Sequence, residues 1–362
     1  MIRSVTPPDG APPTPDLTGC RVLHVVQKYS SGVGSAIAQY THSVPEAEHH
    51  LLSATPVDAE GDLAEQARFA SARLMRRGHA GKLRSIRETV RELRPDVVHA
   101  HSSHGGAYAR LAVARTAHRL VYTPHCYAFE RRDVSAPVRA SFWLAEALLA
   151  VNTTAFAACS AREHRLSAWP TRRAPRYLVP NIAPPDRPAP GTGRAGTLTV
   201  AGGGRLSPQK DPAFFLQVVR RLRETDNGIE ALWLGDGDPQ SRAALEAGGV
   251  HVTGWLPRAR ALELLAGATL YLHSARWEGF PLMVAEAVAL GVPTLVRPVP
   301  SFEDVPGELT LPADGGPEAA LRCLREPAAA AANLACWSAV LRDNSPAAQR
   351  AVLLDLYGGR RG

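Results

Sequence analysis

Short apolar or β-branched runs alternate with longer helical patterns along almost the whole chain, in two blocks divided by a proline-rich stretch. In the first block the strand candidates are Arg21–Val26, His50–Ala54, Asp96–His101, Leu120–Thr123, Thr154–Cys159 and Tyr177–Val179, with helix patterns such as Gly34–Val44 and Leu83–Leu93 between them. In the second block they are Thr197–Gly202, Ala231–Leu234, Val250–Thr253, Leu270–His273 and Thr294–Val296. Alternation of this kind predicts parallel α/β units, repeated once per block. The divider, Pro180-Asn-Ile-Ala-Pro-Pro-Asp-Arg-Pro-Ala-Pro190, fits neither a regular helix nor a central strand, because proline lacks an N–H and fixes φ. A length of 362 residues suits two such domains. Open parallel sheets bind ligands beyond the carboxyl ends of their strands, so two facing domains would enclose a cleft.

Composition then narrows the function classes. The hydrophobic share of 45% against 21% charged residues is that of an ordinary globular chain with a sizeable core. Five cysteines form an odd set with no C-x-x-C spacing, which argues for a reducing compartment and against a disulfide framework or a zinc site. The opening Met1–Leu17 is polar and proline-rich, is expected to be disordered, and has no apolar core of the kind a signal peptide needs. The longest apolar stretch, Phe142–Cys159, contains Glu146 and Asn152 and reads as a buried helix running into a strand rather than a membrane span. A cytoplasmic location is expected.

The net charge of +7 is uneven: residues 1–185 hold 23 Lys+Arg and 15 Asp+Glu, and residues 186–362 hold 18 and 19. A basic first half suggests an anionic partner, such as an acidic lipid surface or a phosphorylated acceptor; nucleic acid is not expected. Within residues 82–94, Leu83, Ile86, Val90 and Leu93 form one helical stripe and Arg84, Arg87, Arg91 and Arg94 a basic stripe beside it. Such a helix either lies on the inner face of an anionic membrane or buries its apolar side and solvates its charges.

Three tempting signals carry less than they promise. Gly191-Thr-Gly-Arg-Ala-Gly196 matches G-x-G-x-x-G, but a proline-rich segment precedes it and a strand follows it, the reverse of the context a dinucleotide site requires. Asp236-Gly-Asp238 resembles a metal-binding Asp-x-Asp, yet it sits in a glycine turn where Asp is favoured for backbone reasons. His99, His101 and His104 lack a carboxylate or cysteine spaced to join them and read as polar loop histidines rather than metal ligands.

Two other elements point to chemistry. In Glu278-Gly-Phe-Pro-Leu-Met-Val-Ala-Glu286, which follows a strand, Pro281 suits the first helical position and Gly291 the residue past the end, predicting a helix over Pro281–Leu290. Its exposed amides near Leu282 and Met283 would form an anion site. Glu278 lies before that site and Glu286 within the helix, whose apolar surround makes a bare surface charge there unfavourable. The second element, Gly202-Gly-Gly-Arg-Leu-Ser-Pro-Gln-Lys-Asp211, carries Arg205 and Lys210 with a spacing suited to converge on one anion. Lys210 is the only lysine after the divider. Together the two elements describe a diphosphate clamp of helix amides and fixed cations. In the first block, Ser30–Ser35 reads as a flexible glycine loop that either admits a ligand or is a plain βα turn. His125 ends another strand and would point into the cleft, in either a structural or a ligand-facing role.

With these residues in view, the chain resembles the retaining GT-B glycosyltransferases of glycosyltransferase family four, which use nucleotide-sugars. The likeness runs through Gly32–Gly34, the segment from His99 to Gly106, Thr123-Pro-His125, Pro180-Asn181, Gly204-Arg205 with Lys210, Gly235-Asp-Gly237, Gly254-Trp255 and the Glu278/Glu286 pair. The resemblance implies two Rossmann-like domains: 18–185 for the acceptor, 186–345 for the donor, and 346–362 a helix crossing back to the first. It implies that Arg205 and Lys210 hold the donor diphosphate and that Glu286 holds the ribose. Glu278 with the Gly279–Phe280 amides would hold the sugar, and the Leu282–Met283 amides the phosphate. Gly34 would approach the diphosphate, and His125 the far side of the sugar. It further implies transfer with retention, no metal and no cofactor, to a polysaccharide, glycolipid or small-molecule acceptor. An epimerase or hydrolase on the same fold, or a silent donor-binding partner subunit, are the alternatives; the intact acid and cation pairs speak against the silent one.

Overall fold

The protein is described by a computed structural model covering residues 15–56, 67–183 and 197–359. The first domain is a parallel sheet of β1 (Arg21–Val26), β2 (Glu48–Ser53), β3 (Ser71–Leu74), β4 (Val97–His101), β5 (Arg119–Thr123), β6 (Ala155–Ala158) and β7 (Arg176–Leu178), in the order β3-β2-β1-β4-β5-β6-β7. The second contains β8 (Thr199–Gly203), β9 (Glu230–Leu234), β10 (His251–Val252), β11 (Leu270–His273) and β12 (Thr294–Val296), ordered β10-β9-β8-β11-β12. Strands β1, β4 and β5 are buried almost throughout, as near-continuous apolar runs in a doubly covered parallel sheet must be.

Each sheet reverses its winding beside its first strand. Val26 at the end of β1 faces Ser53 on one side and His101 on the other, and Ala201 of β8 faces Leu232 and Tyr271. These are topological switch points, where the loops leaving adjacent strands turn to opposite faces and leave a crevice. The loops after β1, β4, β8 and β11 therefore border these crevices.

Several elements differ from their sequence reading. The helix after β1 spans Ser31–Ser43, so Gly32 and Gly34 lie in its first turn, not in a flexible loop. Strand β3 was not foreseen; it is an edge strand of only 4 residues with alternating exposure and no β-branched residue. The helix Leu282–Ala289 starts one residue late, with Pro281 as its N-cap, and Gly291 takes the left-handed φ of 77° beyond its end. The helix Ala136–Ala150 inverts the expected burial. Glu146 is inside, bonded to Arg110 at 2.8 Å and to the Tyr122 hydroxyl at 3.0 Å, while Trp143, Leu144 and Leu148 are exposed.

The helix His79–Leu93 packs Ile86 and Val90 into the first-domain core, with Leu83 and Leu93 against it. Its apolar stripe is therefore closed to lipid, and only the arginine stripe faces outward. The helix Pro346–Gly358 returns to the first domain, placing Leu353, Leu356 and Tyr357 in one cluster with Val22, Tyr40 and Val97. Leu17, in the stretch expected to be disordered, is buried in the same cluster; residues 1–14 lie outside the described ones. The Gly191–Gly196 motif also lies outside them. All five cysteines are free thiols, and among the described residues no helix is long and apolar enough to cross a membrane.

Candidate active site

The second-domain side of the cleft is built from two loops stitched together. The Lys210 carbonyl accepts from the Ser274 hydroxyl at 2.6 Å, the Arg276 amide donates to the Gln209 carbonyl at 2.8 Å, and the Gln209 side chain donates to the Trp277 carbonyl at 3.0 Å. Asp211 caps the following helix, Pro212–Thr225, and pairs with Arg297 at 2.5 Å, which fixes where that loop ends. Gly204 turns with φ 115°, and a Cβ there would meet the Lys210 side chain at 2.8 Å. The glycines thus bring the lysine stem flat against the backbone.

Lys210 forms an ion pair with Glu278, and His273 Nε2 stands 3.5 Å from the same carboxylate oxygen. Burial opposes ionisation of Glu278, but the Lys210 ammonium and His273 outweigh it and hold the carboxyl down to about 2. Glu286, only 5% exposed on its helix, is bonded at 2.5 Å by Arg258. Arg205, expected to converge with Lys210, is exposed and lies with its guanidinium carbon 5.3 Å from the Trp255 ring centroid. The structure therefore joins Lys210 to Glu278 and gives Glu286 a partner the sequence had not suggested.

Pro281 provides no side-chain cap to the Leu282–Ala289 helix, so its first amides, including Leu282 and Met283, have no partner within the helix. Across the cleft stands the start of the Ser31–Ser43 helix: a Cβ on Gly32 would lie 4.0 Å from Leu282 Cδ1. Two helix N-termini with their positive dipole ends thus face one space. Arg258 spans the gap, donating to Ser35 Oγ at 3.3 Å while holding Glu286. Gly34, the glycine expected near a diphosphate, is buried in that first turn, its amide bonded to the Ser30 carbonyl at 3.1 Å.

The domains also meet tightly at Gly279. A Cβ there would meet Glu163 Oε1 at 2.8 Å, the Cys126 amide nitrogen at 2.9 Å and the His125 carbonyl carbon at 3.0 Å. Phe280 is tied across as well, its carbonyl accepting from Asn181 Nδ2 at 3.0 Å. His125 and Cys126 are consecutive non-glycine residues with positive φ, 50° and 91°. Glu163 holds this pair in place by accepting from the Cys126 amide and, at 3.0 Å, from the Cys159 amide. Burial raises its carboxyl and those bonds oppose the rise. Ser160, three residues earlier, caps the Ala161–Leu166 helix by accepting from the Glu163 amide. The S-x-x-E pattern of a capping box was legible, but here the acid serves the neighbouring loop instead of its own helix.

The declined carboxylates have structural partners: Asp238 caps the helix Pro239–Ala247, and Asp236 pairs with Arg242 at 2.6 Å. The histidine reading needs correction. His99 and His101 are fully buried on β4 and not in a loop, and His104 sits in the helix Ser102–Ala112. His24, His99 and His101 bring ring nitrogens within 4.8 Å of one another, each already hydrogen-bonded, as described below.

Comparison with known proteins gives the family of the chain. Residues 31–181 match the family described as glycosyl transferase 4-like domain, and residues 198–328 match glycosyl transferases group 1. The chain is 21% identical over 299 residues to an uncharacterized 41.2 kDa protein in the cps region of Klebsiella pneumoniae, covering 78% of this chain and 82% of that one. It is 24% identical over 236 residues to an Escherichia coli UDP-Gal:alpha-D-GlcNAc-diphosphoundecaprenol alpha-1,3-galactosyltransferase, covering 59% of this chain and 60% of that one. Among solved structures, HepE of Anabaena in complex with UDP and glucose superposes with a TM-score of 0.72 at 13% identity, covering 93% of this chain and 97% of that one. The two family matches span most of the chain, one on each Rossmann-like domain, and the chain belongs to the GT-B glycosyltransferases of the family-four type.

Proposed function

We propose that the protein transfers a sugar from a nucleoside-diphosphate sugar to an acceptor hydroxyl with retention of anomeric configuration and without a metal ion. The observation that carries this reading is the Lys210–Glu278 pair at the mouth of the uncapped Leu282–Ala289 helix. It supplies one cation and a set of amides where a diphosphate would lie, and one ionised carboxylate where the sugar would lie. In this reading Lys210 and Arg205 neutralise the diphosphate, the Leu282 and Met283 amides cradle its distal phosphate, and the Ser31–Ser43 helix start near Gly34 faces it from the other domain. Glu286 accepts from the ribose hydroxyls, with Arg258 keeping its carboxylate aimed. Glu278 and the Gly279–Phe280 amides hold the sugar, and His125 borders it from the first domain. As the anomeric bond breaks, the leaving phosphate takes the proton from the acceptor hydroxyl that attacks on the same face.

The acceptor reading follows from the first domain. Leu111, Trp143, Leu144, Leu148 and Val151 are 60%, 44%, 55%, 63% and 47% exposed. The Arg110–Glu146 bond ties the helix bearing Leu111 to the one bearing Trp143, and Arg87 reaches the Leu111 carbonyl at 3.5 Å. An apolar face bordered by the arginines of the neighbouring helix suits the surface of an anionic bilayer and a lipid-linked acceptor. The named substrate of the Escherichia coli relative is of that class.

Stereochemistry tests the core of this proposal. With an α-configured UDP-sugar and its acceptor, the product's anomeric proton coupling should report an α linkage; a β product overturns retention. Excess EDTA should leave turnover unchanged, and loss restored by manganese would overturn the metal-free clamp. Donor consumption that proceeds equally without any acceptor would point instead to an epimerase or hydrolase.

A further inference from the structure

Four histidines form an unbroken hydrogen-bonded chain through the first domain. His49 Nε2 lies 3.1 Å from the Val44 carbonyl oxygen, and His49 Nδ1 lies 3.0 Å from His24 Nε2. His24 Nδ1 lies 3.0 Å from His101 Nε2, and His101 Nδ1 lies 3.1 Å from His125 Nε2. Their rings stack successively, with centroids 5.2, 5.3 and 5.3 Å apart. His24, His49 and His101 come from three adjacent strands and are at most 2% exposed. The last ring, His125, belongs to the cleft loop, and its Nδ1 makes no hydrogen bond to the described residues.

The proton order in such a chain is set from one end. A carbonyl oxygen only accepts, so His49 Nε2 carries the hydrogen and, in a neutral ring, Nδ1 is bare. His24 must then donate from Nε2, which leaves its Nδ1 bare for His101, and the same step repeats to His125. Reversing the order would leave a lone pair of His49 against the carbonyl oxygen, an unsatisfied buried contact that biases the equilibrium by on the order of tenfold to a hundredfold. Burial keeps the chain neutral: His49 and His125 are pushed down to about 4 and His24 and His101 well below the ordinary histidine range.

We propose that the Val44 carbonyl, acting through the positioning residues His49, His24 and His101, fixes His125 as the tautomer with its proton on Nε2 and its lone pair on Nδ1. Resting on the function above, His125 then meets the donor sugar as an acceptor. It favours a sugar that offers a hydroxyl proton at that point and disfavours one that offers a carbonyl or carboxylate oxygen. Tyr357 belongs to the same device: its hydroxyl bonds His99 Nδ1 at 2.9 Å, and the His99 ring lies 4.1 Å from that of His101, so the returning C-terminal helix packs against the relay.

Long-range proton–nitrogen correlation on the full chain labelled with 15N-histidine reads the tautomers directly, near neutral pH and with no donor present. The expected result is the Nε2–H tautomer for His49, His24, His101 and His125. In His49→Leu the carbonyl no longer sets the order, and His125 should become a mixture of tautomers, with donor KM rising about twofold as the competent fraction falls to about half, and kcat changing less. His49→Gln, which keeps an amide donor for Val44 and an oxygen for His24, should restore both. An Nδ1–H or doubly protonated His125 in the unaltered chain overturns the proposal, and that measurement needs no variant to fold. So does a His49→Leu spectrum with His125 unchanged, or a spectrum showing His24, His99 and His101 bound to added zinc in place of one another. A shifted tautomer with unchanged donor KM would leave the ordering standing and remove His125 from the sugar. Failure of donor binding in the unaltered chain would instead count against the function itself.

Discussion

Lys210 and Gly279 show how much of this site rests on single atoms. In the proposed function, Lys210, held in place by its pairing with Glu278, faces the donor diphosphate. Negative charge grows on the leaving phosphate as the anomeric bond breaks, and a fixed cation there helps the transition state more than the ground state. Lys210→Met keeps the stem, deletes the charge and leaves Glu278 buried without its cation. We expect a loss of at least about a hundredfold in kcat, the order of 3–4 kcal/mol seen for one such donor, with donor affinity falling much less. Steady-state turnover with circular dichroism as a folding control measures this; retention of more than a third of kcat would show that the clamp is elsewhere. Gly279→Ala tests the interdomain contact. Its Cβ would press on backbone atoms of His125 and Cys126, which cannot swing aside as a flexible side chain would. The expected outcome is a kcat/KM reduced about tenfold or more with the melting temperature nearly unchanged, because the clash acts between domains and not within either core.

At the scale of elements, the Ala136–Ala150 helix is the instructive case. Its composition is apolar enough to read as buried, yet its orientation is decided by one salt bridge. Glu146 turns inward because Arg110, with a fully buried side chain, requires a counter-charge there. Turning Glu146 in turns Trp143 and Leu148 out. If that face lies on lipid, the double variant Trp143→Ser, Leu148→Ser should sediment with anionic vesicles several-fold less than the parent chain, while its turnover on a soluble acceptor analogue is unchanged. The His79–Leu93 helix should contribute only through its arginines, so raising salt should weaken binding by screening. Equal sedimentation of parent and variant would show that this face meets something other than lipid.

For the molecule as a whole, the histidines make mild acid the natural stress. His24, His49, His99 and His101 are all buried and have their affinity for a proton lowered first by burial. The unfolded chain therefore binds more protons than the folded one between the folded and unfolded pKa values. Stability is complete above about 6.5 and is lost as pH falls toward about 4, the value for His49. Each histidine kept neutral contributes a slope of about 1.4 kcal/mol per pH unit within its window. The urea midpoint of the first domain should fall steadily from pH 6.5 to 5, and His49→Gln should flatten that fall. A midpoint independent of pH over this range would mean that these rings are hydrated or already charged.

The sequence determined the repeating parallel units and their division into two domains, and it singled out the loops after β8 and β11 as candidates for chemistry. Those follow from local rules: apolar runs of strand length, helix starts and stops, and glycine where the chain must turn against a side chain. It also drew attention to Lys210, Glu278 and Glu286, because charge next to a helix start is a local pattern. What only the tertiary structure decided are the partners. Arg258 with Glu286, Glu163 beneath the His125 loop, and the stacking of three histidines from separate strands onto His125 all join residues far apart in the chain. None leaves a periodic trace, since a side chain's partner is fixed by strand order and register and not by its neighbours. The strand order β2-β1-β4 is what sets His49, His24 and His101 side by side, and no spacing along the chain encodes it.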